Sequence, residues 1–214
     1  MKLYYLPGSC ALAPHIALEM TGTQYELIRV ERGQNHEPEY LAINPLGLVP
    51  TLVDDDGSVI TENIAVLLRI ADAFPLAGLM PSARTCDWYQ ALRWMTYFAT
   101  TVHPSFAMLW RPERFTVNPG CHASVRHSGR TRLKNAFDLI ERHLQRRRYM
   151  IGESFTITDA YLFVFGRWGF RLEKSTKDFP ELLRFTVEMT SLSAVQGAIK
   201  QQGITLGGPS DGPG

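Results

Sequence analysis

Hydrophobic and polar positions change their period near residue 75. Before that point short β-prone runs and helical runs alternate. Residues 2–6 read as a strand closed by Pro7-Gly8-Ser9. Residues 12–20 place Leu12, Ile16, Ala17 and Met20 at helical spacing, with Pro14 tolerable in a first turn and Thr21-Gly22-Thr23 as the stop. Residues 25–30 alternate as a second strand, and 40–43 form one helical turn before Asn44-Pro45-Leu46-Gly47. Residues 49–53 and 58–60 are two strands around the turn formers Asp54-Asp55-Asp56-Gly57. Residues 62–73 then give a helix with Ile64, Leu67, Leu68 and Ala71 on one face. The predicted order is β-α-β-α-β-β-α.

Beyond the Pro/Ala/Gly/Ser-rich stretch that follows, every signal is helical. Residues 87–110 carry Trp88, Leu92, Met95, Phe98 and Ala99 at threes and fours, and 124–148 repeat the pattern through Leu133, Ala136, Phe137, Ile140 and Leu144. Thr156-Ile157-Thr158-Asp159 opens the next apolar helix in the form of a capping box, with Phe155 placed to staple onto it. Two shorter helices, 180–189 and 191–202, complete the pattern. The predicted fold is therefore α/β plus all-α. A thioredoxin-like domain spans 1–75, a linker 76–85, an all-helical domain 86–203, and a Gly/Pro/Ser-rich tail, read as disordered, 204–214.

Composition narrows the function. Lys and Arg total 22 against 21 Asp and Glu, so there is no electrostatic footprint for nucleic acid or an anionic membrane. The run Arg146-Arg147-Arg148 reads as a solvated helix end. Cys10, Cys86 and Cys121 are too few and too scattered for a disulfide framework, no CxxC occurs, and Cys121-His122 lacks further partners at metal-ligand spacing. No metal is expected. The apolar start 3–6 is too short for a signal peptide and is interrupted by Pro7-Gly8. A soluble protein of the reducing cytoplasm is the expectation.

Three features can carry chemistry. Cys10 sits where the first strand gives way to the first helix. Unsatisfied N–H groups and the helix dipole there favour thiolate, against the alternative of a small buried hydrophobe. Val49-Pro50 precedes a strand. A cis bond there would offer the Val49 backbone to an extended peptide, whereas most X-Pro bonds are trans. Thr61-Glu62-Asn63 opens the third helix, either as a carboxylate and amine site or as a plain cap with an acid on the dipole.

Taken together, the strings PGSCALAPHIAL, LAINPLGLVPTL, ITENIAVLLRIAD and FTITDAYLF closely resemble the glutathione transferases, and the cysteine placement resembles the bacterial beta class. The resemblance covers about residues 1–203. It implies glutathione as substrate, no metal, and a homodimer. Cys10 matches the family cysteine at the glutathione sulfur, Val49 and Pro50 the cis-proline pair, Glu62 and Asn63 the pair holding the γ-glutamyl end, and His103 a histidine near the thiol. Ser9 is a rival hydroxyl, since some classes use a serine in this turn. Ala11, Leu46 and Pro104 stand where relatives often carry Ser, a basic residue and Lys, and 32–38 holds no Lys. His36, or else Gln34 or Asn35, is left to take the glycyl carboxylate.

The expected reaction is thiol activation. Glutathione is oriented by the Val49 backbone and the Glu62-Asn63 helix start, and its thiolate attacks a small apolar electrophile or exchanges with a disulfide at Cys10. Phe106, Trp110 and Trp168 are the expected co-substrate wall. The alternatives are a glutaredoxin-like oxidoreductase and a non-enzymatic binding protein of the same fold.

Overall fold

The structure, a computed structural model, describes residues 1–207. Its sheet has the order β2-β1-β3-β4. The central strand β1 (Lys2–Tyr5) pairs in parallel with β2 (Glu26–Arg29) and antiparallel with β3 (Thr51–Val53), which carries β4 (Val59–Thr61) on its outer side. Leu3 faces Leu27 on one side and Leu52 on the other, and Leu3 and Leu52 are fully buried. The helices of this half are α1 (Leu12–Thr21), α2 (Pro38–Leu41) and α3 (Asn63–Ala73). In the other half lie α4 (Cys86–Tyr97), α5 (His103–Trp110), α6 (His122–Leu144), α7 (Ile157–Gly169), α8 (Pro180–Met189) and α9 (Ser193–Gln202).

The parallel pair β1–β2 needs a crossover, and α1 supplies it. Gly22 ends α1 at φ 66°, its N–H donating to the Glu19 carbonyl. Residues 12–18 of α1 are all buried, because α3 packs on it from its own half and α7 and α9 from the other. One continuous core runs from Leu3 through α1 and α7 to Ala198, so the two halves share their apolar interior.

At the centre of the helical half, α7 is buried along its whole length. Gly166 and Gly169 permit that packing. A Cβ on either would come within 2.2 Å of a threonine hydroxyl, that of Thr186 on α8 or of Thr176. Asp159 holds the start of α7. Its carboxylate accepts the Thr156 N–H and O–H, both at 2.8 Å, and the Met150 N–H at 2.7 Å. Full burial pushes its pKa up to about 6, and those three donors pull it the other way.

Two expectations need correction. The helix expected over 87–110 is interrupted by a π-turn, Phe98–Val102, before α5. Pro104 explains the break: it has no N–H to give the ladder, and its ring crowds the carbonyl one turn back. The tail expected to be disordered from 204 is packed in its first residues. Ile204 and Leu206 lie against the core, and the Thr205 carbonyl accepts a hydrogen bond from Arg167 Nε at 2.8 Å. The remainder, 208–214, lies outside the described residues. Arg146-Arg147-Arg148 falls just past the end of α6, exposed as the sequence suggests.

Candidate active site

A cleft of about 210 Å³ opens where the C-terminal end of β1, the loop before β3 and the start of α3 meet α5 and α7. It brings together Ser9, Cys10, Asn35, Val49, Pro50, Glu62, Asn63 and His103, eight of the residues singled out in the sequence, and adds Arg114 and Tyr161.

The turn after β1 is built locally. Ser9 donates its N–H and its hydroxyl to the Leu6 carbonyl, at 3.1 and 2.8 Å, and its Oγ accepts the Ala11 N–H at 3.3 Å. The Ser9 hydroxyl is therefore committed to shaping the turn. Cys10 follows, 7% exposed, with Sγ donating to the Val49 carbonyl at 3.4 Å. Its pKa is not lowered, as the turn position had suggested, but pushed up to about 12. Burial dominates and the Glu62 carboxylate adds to it; the Cys10 and Ala11 N–H groups oppose both and lose. In the unliganded protein Cys10 is a thiol.

The Val49-Pro50 bond is cis. The loop before it is braced from α2 and the turn that follows it: Tyr40 Oη and Asn44 Nδ2 both donate to the Leu48 carbonyl, at 2.6 and 2.8 Å. Asn35 Nδ2 ties the Gly47 carbonyl at 2.6 Å. Gly47 (φ 63°) has no room for a side chain, since a Cβ would lie 2.8 Å from His36 Nδ1. His36 itself is exposed and packs behind this loop. It does not line the cleft, whereas its neighbour Asn35 does.

Glu62 stands at φ 66°, ψ 125°, a left-handed conformation that costs a non-glycine residue on the order of 1–3 kcal/mol. Its side chain is exposed. Asn63, at the first turn of α3, is 7% exposed; its amide interacts with the Tyr161 hydroxyl, but neither its Oδ1 nor its Nδ2 makes a hydrogen bond of good geometry among the described residues. A buried amide without such a bond is unfavourable by about 1–3 kcal/mol unless a ligand completes it.

On the helical side the His103 Nδ1 lies 3.2 Å from Tyr161 Oη. Burial, then the nearby Arg114 charge, lowers the His103 pKa to about 4. The Tyr161 hydroxyl is held well above its ordinary range, chiefly by burial. His103 is thus neutral, and Tyr161 keeps its proton. Sequence reasoning missed Tyr161, because within α7 it follows the same apolar period as core residues. It also missed Arg114, which ends the short 3-10 turn Pro112–Arg114 and is the one Arg or Lys among the described residues lining the cleft.

The expected co-substrate wall is not at this cleft. Phe106 and Trp168 are fully buried in the core, where Phe106 stacks on Phe165 at 6.0 Å and Trp168 meets the same ring edge-on at 5.6 Å between centroids. Trp110 is half-buried over a separate cavity beside α6. Helical spacing cannot distinguish a core aromatic from a lining one, since both faces of α5 are covered. The apolar lining of the cleft comes instead from Leu46, Leu48, Ile64 and Ala99. No group of three or more His, Cys, Asp or Glu able to hold a metal occurs among the described residues.

Comparison with known proteins gives a consistent assignment. The family model for the glutathione S-transferase N-terminal domain matches residues 1–72, and that for the C-terminal domain matches 90–193. The chain is 31% identical to glutathione S-transferase GstA of Escherichia coli O157:H7 and 33% to glutathione S-transferase GST-4.5 of Xanthomonas campestris, in each case over 95% of this chain and all of the relative. A sphingomonad glutathione S-transferase complexed with glutathione superposes with a TM-score of 0.86 at 31% identity, covering 96% of this chain and all of that one. The bacterial beta class enzyme of Sphingomonas chungbukensis gives a TM-score of 0.86 at 30% identity over the same shares. With both family domains matched in order and relatives aligned end to end, this chain belongs to the glutathione S-transferase family.

Proposed function

We propose that the protein is a glutathione S-transferase that binds glutathione in the cleft beside Cys10 and activates its thiol for attack on a small apolar electrophile. The observation that carries this reading is the convergence on one cleft of Val49-Pro50, the Asn63 amide without a well-formed hydrogen bond and the His103–Tyr161 pair around a buried thiol.

Each group then has a task. The Glu62 carboxylate takes the ammonium of the γ-glutamyl end, and the Asn63 amide gains the hydrogen bonds it lacks. The Val49 carbonyl takes the N–H of the cysteinyl residue, which displaces the Cys10 S–H. The freed S–H, the N–H groups of the turn and the protonated Tyr161 are donors for the incoming thiolate. They are fixed before reaction, which is what makes such stabilisation effective. Arg114, the cation on the cleft, takes the glycyl carboxylate in place of the exposed His36. Leu46, Leu48, Ile64 and Ala99 receive the electrophile. Ser9 shapes the turn.

The glutaredoxin-like alternative is not favoured. A thiol of pKa about 12 is ionised to only about one part in 10⁵ at neutral pH, so Cys10 is a poor exchange nucleophile as it stands.

We carry two further readings with this one. A homodimer is supported by family membership and by large apolar side chains left exposed, among them Val59, Leu76 and Tyr89. A cytoplasmic location is supported by the exposed free Cys86 and Cys121, and no described helix is long and apolar enough to cross a membrane. Light scattering should give twice the 24.2 kDa chain mass.

The test of the main reading is calorimetric titration with glutathione, followed by conjugation of an activated aryl halide by the wild type and by Cys10→Ala. Binding with conjugation retained in Cys10→Ala supports transferase chemistry. Absence of binding by the wild type overturns the proposal.

A further inference from the structure

Gly8 lies two residues before Cys10, buried and at φ 70°. Both its backbone polar groups are held from the helical half. Its carbonyl accepts Trp168 Nε1–H at 2.9 Å and Arg167 Nη1–H at 3.4 Å, and its N–H donates to Gln202 Oε1 at 2.9 Å. The other backbone hydrogen bonds of the turn are local, from Ser9 to Leu6, Leu12 to Ser9 and Ala13 to Cys10. The helical half therefore grips the turn at one residue, from both sides.

Each anchor is itself tied down. Arg167 Nε donates to the Thr205 carbonyl at 2.8 Å, and Gln202 Nε2 lies 3.0 Å from Nδ1 of the buried His15 on α1. The Trp168 ring packs against His103 at 5.3 Å between centroids. Trp168 thus touches both the turn that carries Cys10 and the histidine across the cleft from it. Packing alone would not select these residues. Arg167 is 2% exposed, and its Nη2 has no partner among the described residues. An apolar side chain of similar size would avoid that desolvation.

We propose that Arg167, Trp168 and Gln202 are positioning residues through which the helical half sets the Cys10 turn against His103. This rests on the reading of the cleft as the reaction centre. It reassigns Trp168 from the co-substrate wall to a backbone anchor two residues from the cysteine.

Trp168→Phe removes one hydrogen bond to Gly8 and keeps an aromatic ring in place, and Gln202→Leu removes the other side's bond to Gly8 together with the contact to His15 Nδ1. Amide hydrogen exchange on the full chain without glutathione should show Ser9, Leu12 and Ala13 exchanging about tenfold faster in each variant, the effect expected from losing one ordinary hydrogen bond. The α7 core amides should stay protected. With glutathione and an aryl halide, kcat should fall about tenfold while KM for glutathione stays near the wild-type value, because Val49, Glu62 and Asn63 are on other segments. Unchanged exchange in the turn, or faster exchange spread evenly through α7, overturns the proposal. So does an unchanged kcat in a variant whose turn has loosened. The exchange measurement uses no substrate, so it stands apart from any failure of the transferase reading, which the wild type alone would reveal.

Discussion

The Cys10 thiol donates its hydrogen to the Val49 carbonyl at 3.4 Å, joining the turn after β1 to the loop that ends in the cis-proline. The same carbonyl is the group offered to the cysteinyl N–H of glutathione in the proposed mode. The protein's own thiol and its substrate's backbone therefore compete for one acceptor, and the resting site is closed on itself.

Alkylation should report that closure. Iodoacetamide at neutral pH should modify the exposed Cys86 and Cys121 well before Cys10, which is buried with its pKa pushed up to about 12. Peptide mapping by mass spectrometry should find Cys10 slower by about a hundredfold or more. Labelling of Cys10 first would contradict the buried, protonated thiol.

His103 should give stability a specific acid limb. Its pKa is lowered from 6.5 to about 4, so the folded state binds fewer protons than the unfolded chain between those values. Its contribution is complete above pH 6.5 and is lost as the pH falls towards 4, amounting to about 3 kcal/mol at the acid end. Urea midpoints from pH 7 to 4 should fall more steeply for the wild type than for His103→Asn. His15 and His143, also lowered, are common to both proteins and cancel in the difference. Parallel curves would refute the assignment.

Glu62 sets stability against binding. Glycine accepts φ 66° without strain, so Glu62→Gly should stabilise the fold by about 1 kcal/mol, less some unfolded-state entropy. Glutathione affinity should fall at the same time with the loss of the carboxylate. Thermal unfolding and calorimetry on one sample would separate the two, and a destabilised variant would show the backbone to be unstrained.

Arg114→Ala should raise KM for glutathione about three- to tenfold, the range for loss of one partly exposed charged contact, with little change in kcat. His36→Ala, outside the cleft, should leave KM near the wild-type value. The reverse pattern in steady-state kinetics would return the glycyl carboxylate to His36.

Asp159→Ala leaves the buried N–H groups of Met150 and Thr156 without an acceptor at the start of the central helix. Loss of about 2–4 kcal/mol is expected, read by denaturant unfolding, with activity per folded molecule retained.

The local part of this protein is written in its sequence. Period-2 and period-3.6 patterns, Gly22 after α1, the capping residues Thr156 and Asp159, and the turn at Pro7-Gly8 act through neighbours a few positions away. The element order follows from them, and so does the meeting of Cys10, Val49 and Asn63 at the strand ends of a thioredoxin-like sheet. Tertiary structure decided what depends on distant atoms. Whether Cys10 is thiol or thiolate turned on how much solvent the rest of the chain removes from it, and desolvation outweighed the N–H groups that the sequence could locate. Tyr161 and Trp168 lie seven positions apart in the same apolar helix. Packing alone placed one on the cleft and the other on the Gly8 carbonyl. The grip of Arg167 and Gln202 on that glycine spans more than 150 residues, a relation that no local pattern encodes.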